Sequence, residues 1–82
     1  MTIYDVVRQY PRRWKHIAEC RQAVDDFAAR LNDTRKRLKQ THEQFALGNE
    51  ISPSRIYNLC SGQTLPRLDE LDILFPIIEA TQ

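Results

Sequence analysis

Residues 40–66 read QTHEQFALGNEISPSRIYNLCSGQTLP, and the reading of this stretch decides the fold. Thr41-His42-Glu43-Gln44 has the spacing of a capping box, with a hydroxyl at N-cap and a Gln three residues on that can reach back to the cap. Phe45 and Ala46 follow, and Gly48-Asn49 closes a short helix. Ile51 is the one apolar residue in a polar turn, which suits a plug dropped into a core. Ser52-Pro53 opens a second helix, with Ser as cap and Pro at the first helical position, where its missing N–H costs nothing. Ile56 and Leu59 sit three apart and face the core, and Gly62 is a natural stop. The expectation is two short helices, near 41–49 and 52–61, joined by a tight turn.

The flanks are helical too. Pro66 opens a further helix with Leu68, Leu71, Ile73, Leu74 and Phe75 as apolar contacts, ended or bent at Pro76, with Ile77-Ile78 in a last turn. Upstream, neither Gly nor Pro occurs from Arg12 to Lys39, and Trp14, Ile17, Ala18, Val24, Phe27, Ala28, Leu31 and Leu38 recur at helical spacing. This is one long helix, or two with a joint near Asp25-Asp26, where Asp can cap a new start; the long helix is preferred. Ile3, Val6, Val7 and Tyr10 fit a short amphipathic helix before Pro11.

A chain of 82 residues with 41% hydrophobic and 28% charged side chains has room for one globular core. Its longest apolar run, 71–78, is broken by Asp72 and Pro76 and falls short of the roughly 20 residues that span a bilayer, so no membrane partner is expected. The first residues lack the apolar stretch of a signal peptide. The two cysteines, Cys20 and Cys60, form no dense framework, and the cytoplasm is the expected compartment. No HExxH, CxxC, GxSxG or glycine-rich phosphate loop occurs, so neither an enzyme, a cofactor nor a small-molecule substrate is expected. His16 and Cys20 stand four apart, but two ligands do not make a zinc site, and no metal is expected. The net charge of +1 hides an asymmetry: residues 1–40 hold ten Lys and Arg against five acids, residues 41–82 two against six. A basic half can face a polyanion on a nearly neutral protein; the plainer reading is a solvated helix face balanced by ion pairs.

The register of Thr41, Ala46, Ile51, Ser52, Ser54, Ile56, Gly62 and Pro66 resembles the Cro/cI-type, XRE-like helix-turn-helix family of phage repressors and small bacterial regulators. Leu68, Leu71 and Leu74 match the apolar face of that family's fourth helix, and Leu31 and Arg35 its first. The likeness covers roughly residues 24–75. It implies an all-α, five-helix, lambda-repressor-like bundle with a helix-turn-helix: residues 1–20 as an N-terminal helical extension and residues 21–82 as the DNA-binding domain. Departures are visible. Glu50 stands where the family often has Gly, and Asn49 is expected to absorb any positive φ. His42 stands where Gln is frequent. Cys60 occupies the position of an acid that pairs with the Arg35 position, so Arg35 must find another acid or face outward. Arg67 replaces the usual hydroxyl cap.

The resemblance implies a sequence-specific double-stranded DNA-binding regulator, a repressor acting as a homodimer on an inverted repeat. Its third helix would lie in the major groove, with Pro53, Ser54, Arg55, Tyr57 and Asn58 at base edges. Arg35, Lys36, Lys39, Thr41, His42, Ser52, Ser61 and Gln63 are the candidate phosphate contacts. Arg8, Arg12, Arg13 and Lys15 could form a basic arm. Tyr4, Tyr10 and Trp14 are expected in packing rather than on bases, and the apolar ends (Ile3, Tyr4, Val7; Phe75, Ile77, Ile78) at a subunit interface. The alternative is a protein-binding module (an antitoxin, anti-repressor or adaptor) that keeps the same shape.

Overall fold

The computed structural model describes residues 2–81, and every regular element in them is helical. The five α-helices are α1 (Ile3–Gln9), α2 (Ala18–Arg37), α3 (His42–Gly48), α4 (Pro53–Ser61) and α5 (Leu68–Thr81), with a 3-10 turn at Trp14–His16 before α2.

Local chemistry sets most of these boundaries. At α1, the Thr2 hydroxyl accepts the Asp5 N–H and the Asp5 carboxylate accepts the Thr2 N–H, each at 3.3 Å, a capping box that the hydrophobic pattern alone does not reveal. The box anticipated at Thr41 is present: its hydroxyl accepts the Gln44 N–H at 3.1 Å and Gln44 accepts the Thr41 N–H at 2.9 Å. Ser52 caps α4 by accepting the Arg55 N–H at 3.2 Å, with Pro53 in the first turn. Gly62 ends α4 at φ 76°, and a Cβ there would come within 3.1 Å of both the Arg21 guanidinium and the Asp25 carboxylate on α2. The left-handed backbone is what requires glycine at that point, since the Arg21 and Asp25 side-chain ends are partly exposed and can give way.

The long segment from Arg12 is not one helix. It breaks at Ile17, whose backbone is extended (φ −118°, ψ 116°), and not at Asp25-Asp26. The cause is tertiary: Trp14 is buried, with the Arg21 guanidinium 5.5 Å and the Lys15 ammonium 5.7 Å from its ring, and an extended residue re-aims the chain after it. Asp25 and Asp26 instead pair with Arg21 and Arg30 one turn away on unbroken helix. At the other end of the chain α5 runs through Pro76 to Thr81 rather than stopping there. Pro76 is exposed, so the Asp72 carbonyl that loses its helical donor can be hydrated, while Leu74 and Ile78 stay buried on either side.

One core joins all five helices. Val6 of α1, Val24 and Leu31 of α2, Phe45 of α3, Ile56 and Leu59 of α4, and Leu71, Leu74 and Ile78 of α5 are all almost fully excluded from solvent. Each such side chain contributes about 1.5–3 kcal/mol on burial. The division expected at residue 20 therefore falls inside the first turn of α2, and α1 packs on α2 and α5 in the same core. The apolar ends expected at a subunit interface are spent internally. Ile3 and Ile78 are buried, Tyr4, Val7, Phe75 and Ile77 pack against the core, and Tyr4 stacks on Phe75 at 5.2 Å. The large apolar side chains left in solvent lie elsewhere: Leu38, Leu47, Tyr57, Leu68 and Ile73. No helix in the described residues is long and apolar enough to cross a membrane.

Candidate functional site

The leading end of α4 stands free. Ser52, Pro53 and Ser54 are exposed, and so is Tyr57 one turn on. The Ser52 hydroxyl lies 3.4 Å from that of Ser54 while it caps the helix, and its own O–H can still donate outward. Asn58 is half-buried on the same helix; its carbonyl accepts the Ser61 hydroxyl at 3.1 Å and the Gln63 N–H at 3.0 Å. Ser61 and Gln63 are exposed at the trailing end.

Arg55 corrects the expected base-reading set. Its guanidinium turns toward α5, with Nε 3.0 Å from one Glu70 carboxylate oxygen and a terminal nitrogen 2.5 Å from the other. Two further donors go to the Thr64 hydroxyl at 3.1 Å and the Leu65 carbonyl at 3.4 Å. A fork spent in this way cannot also span the edge of a guanine. The signal that could have revealed this is helical: Arg55 stands four residues before the buried Leu59 and shares its face. Burial alone would raise the Glu70 carboxyl, but hydrogen bonds from Arg55 and the Arg67 N–H, with the charge of Arg55, hold it below the ordinary range.

Among the phosphate candidates, Arg35 finds neither an acid nor open solvent. It donates to the Asn32 side-chain oxygen at 2.9 Å and to the Gln40 carbonyl at 2.8 Å, tying the end of α2 to the loop before α3. Lys36, Lys39 and Thr41 are exposed. Lys39 closes α2 in a left-handed conformation (φ 58°), its N–H bonded to the Lys36 carbonyl and the next N–H, of Gln40, to that of Arg35. Glu50 does the same after α3 at φ 57°, with the Ile51 N–H bonded to the Ala46 carbonyl. Asn49 keeps φ at −118°, so the expected transfer of strain to it does not occur. Of the basic surplus on α2, Arg21, Arg30 and Arg37 are paired with Asp25, Asp26 and Asp33.

Five candidates converge. Arg35 and Lys36 from α2, His42 opening α3, and Tyr57 and Ser61 from α4 wall a notch of about 340 Å³, with Asn32 and Cys60 completing it. Among the described residues no carboxylate lines its wall. The His42 ring meets that of Tyr57 edge-on at 5.4 Å. Burial, and secondarily the Arg35 charge, push the His42 imidazole below its ordinary value. Burial raises the Cys60 thiol, with Arg35 pulling it the other way. Ser52, Pro53 and Ser54 lie at the opposite end of α4, on the order of 10 Å along its axis.

Elsewhere, His16 is exposed while Cys20 is buried, and the described residues contain no cluster of three or more His, Cys, Asp or Glu able to hold a metal. An apolar cleft of about 330 Å³ lies between α1, α2 and α5 beside Tyr4, Phe27 and Phe75. No family model, curated protein or solved structure matches this chain.

Proposed function

We propose that this chain is a sequence-specific double-stranded DNA-binding regulator of transcription with a lambda-repressor-like arrangement, in which α3 and α4 form the helix-turn-helix. The observation that carries the reading is the free leading end of α4, where Ser52, Pro53 and Ser54 are all exposed. A helix of this diameter fits the major groove, about 12 Å wide, and would present Pro53, Ser54, Tyr57 and Asn58 to base edges. Lys36, Lys39, Thr41, His42, Ser52, Ser61 and Gln63 would hold phosphates along the same side. Glu50 supports the assignment from a different direction: the left-handed conformation falls at the turn position where the family often has Gly. Repression by a homodimer on an inverted repeat completes the reading, with the exposed Leu68 and Ile73 of α5 as apolar side chains available to a second copy.

The test is selection of bound duplexes from a random pool. An enriched inverted repeat is the expected result, and failure to enrich any sequence at low salt overturns the reading.

Two observations favour the second reading, a protein-binding module. The single charged side chain of α4, Arg55, is spent on Glu70, and Leu47 on α3 is 78% exposed. A tight protein partner in pull-down, with no DNA shift at low salt, would decide for it.

A further inference from the structure

The notch between α2, α3 and α4 does something the helix-turn-helix reading does not require. Its wall is cationic and polar, lined by Arg35 and Lys36 from α2 and by Tyr57 and Ser61 from α4. Cys60 stands at the contact with Arg35 where a carboxylate would neutralise it, and among the described residues the groups that accept hydrogen bonds from Arg35, the Asn32 and Gln40 oxygens and the Cys60 thiol, are all neutral. The cationic charge of this wall is therefore uncompensated from within. The titratable groups sharing the notch with the His42 imidazole are Arg35 and Lys36 from α2 and Tyr57 and Cys60 from α4; the neighbouring carboxylate on its own helix, Glu43, is exposed and outside the wall. An imidazole so placed has every reason to stay neutral while the notch is empty. An entering oxyanion reverses the balance, because it offers a partner to a protonated ring that no protein group supplies.

Resting on the DNA-binding reading for its natural ligand, we infer that the notch is an oxyanion seat that takes up a proton on His42 as the anion enters. The shared chemistry is a tetrahedral oxyanion of phosphate type, held by the Lys36 ammonium, attracted by the Arg35 charge beside it and clamped by the imidazolium. The depressed basicity of His42 in the empty protein agrees with this. Proton uptake of up to one equivalent makes affinity rise by up to about tenfold for each unit by which the pH falls, across the window between the free and occupied titrations of the ring.

The experiment uses sulfate, which stays fully charged across the range, at constant ionic strength, with the two histidine rings followed by NMR. His42 should shift saturably and titrate at higher pH with sulfate present, while the exposed His16 should not. Absence of a His42 shift, or an equal shift at His16, overturns the seat. His42→Gln should abolish the pH dependence of sulfate binding, and Lys36→Gln should weaken binding several-fold at every pH while leaving proton uptake intact. Persistence of the pH dependence in the first variant, or unchanged affinity in the second, also overturns it. A parallel arm with duplex DNA separates the sources. Sulfate seating with no duplex binding assigns the notch to a free anion and sinks the DNA reading alone. Duplex binding that is independent of pH, with His42 unshifted, sinks the seat alone.

Discussion

Arg55 and Glu70, fifteen residues apart, meet across the corner between α4 and α5 through two nitrogen–oxygen contacts of 3.0 and 2.5 Å. The Glu70 carboxylate also accepts the Arg67 N–H at 2.8 Å, the reciprocal half of a capping box whose hydroxyl half Arg67 does not supply. One buried carboxylate thereby joins the first turn of α4, the 62–67 loop and the first turn of α5, and so fixes the angle at which α4 leaves the body. Removing it strands a half-buried guanidinium. Glu70→Ala should cost about 2–4 kcal/mol in urea unfolding, and Asp26→Ala, which breaks only an exposed pair, less than about 1 kcal/mol. Equal losses for the two variants would show that the corner is not held this way.

Acid should find the same corner. The folded carboxyl of Glu70 is held below its unfolded value, so its contribution is complete above the ordinary glutamate range and is lost as pH falls through the depressed folded value. Unfolding midpoints measured from pH 7 down to pH 2.5 should fall on the acid side, and Glu70→Gln should flatten that fall while lowering stability at neutral pH. An acid limb of unchanged steepness in the variant would place the titration elsewhere.

Two left-handed residues carry side chains where glycine would be relaxed. Lys39 and Glu50 hold φ at 58° and 57°, each ending a helix with a bond back to its last turn. A non-glycine residue in that region is strained by about 1–2 kcal/mol, partly offset in glycine by greater freedom of the unfolded chain. Lys39→Gly and Glu50→Gly should each stabilise by about 1 kcal/mol, read as a rise in melting temperature. Destabilisation by either would mean that its side chain contributes more than the strain removes.

The caps were the legible part of the sequence. Thr41, Ser52, Pro53 and Gly62 each act through a few adjacent atoms, and each does in the fold what its chemistry dictates. What was not legible depends on residues far away in sequence. The break at Ile17 answers to the burial of Trp14, and no Gly or Pro marks it. The continuation through Pro76 answers to Leu74 and Ile78 on the core side of an otherwise unfavourable residue. Arg55 reads as a free cation on an exposed helix until its partner fifteen residues on is known, and the apolar ends read as an interface until α1 is seen to pack on α5. The anion notch combines both kinds of information. Five of its residues, Arg35, Lys36, His42, Tyr57 and Ser61, were visible as candidates, but their convergence around His42 without an acid among the lining residues is a property of the packing.

Base reading and phosphate holding leave different signatures, and the proposed DNA-binding reading gives them to different residues. Asn58 and Ser54 belong to the uncharged face of α4, and Asn is the side chain whose amide matches the donor–acceptor edge of adenine. Asn58→Ala should therefore reduce the preference for the selected duplex over random DNA by about 1–3 kcal/mol, with little change in the salt dependence. Lys36 and Lys39 carry exposed charges that no Asp or Glu pairs among the described residues, so Lys39→Gln should weaken binding to all duplexes alike and lower the slope of log affinity against log salt by roughly one. Fluorescence anisotropy with specific and random duplexes over a salt series separates the two effects in one set of measurements. An Asn58 variant that loses specific and random binding equally would remove that residue from the base-reading face, and an unchanged slope in the lysine variant would return Lys39 to the role of a strained helix terminus alone.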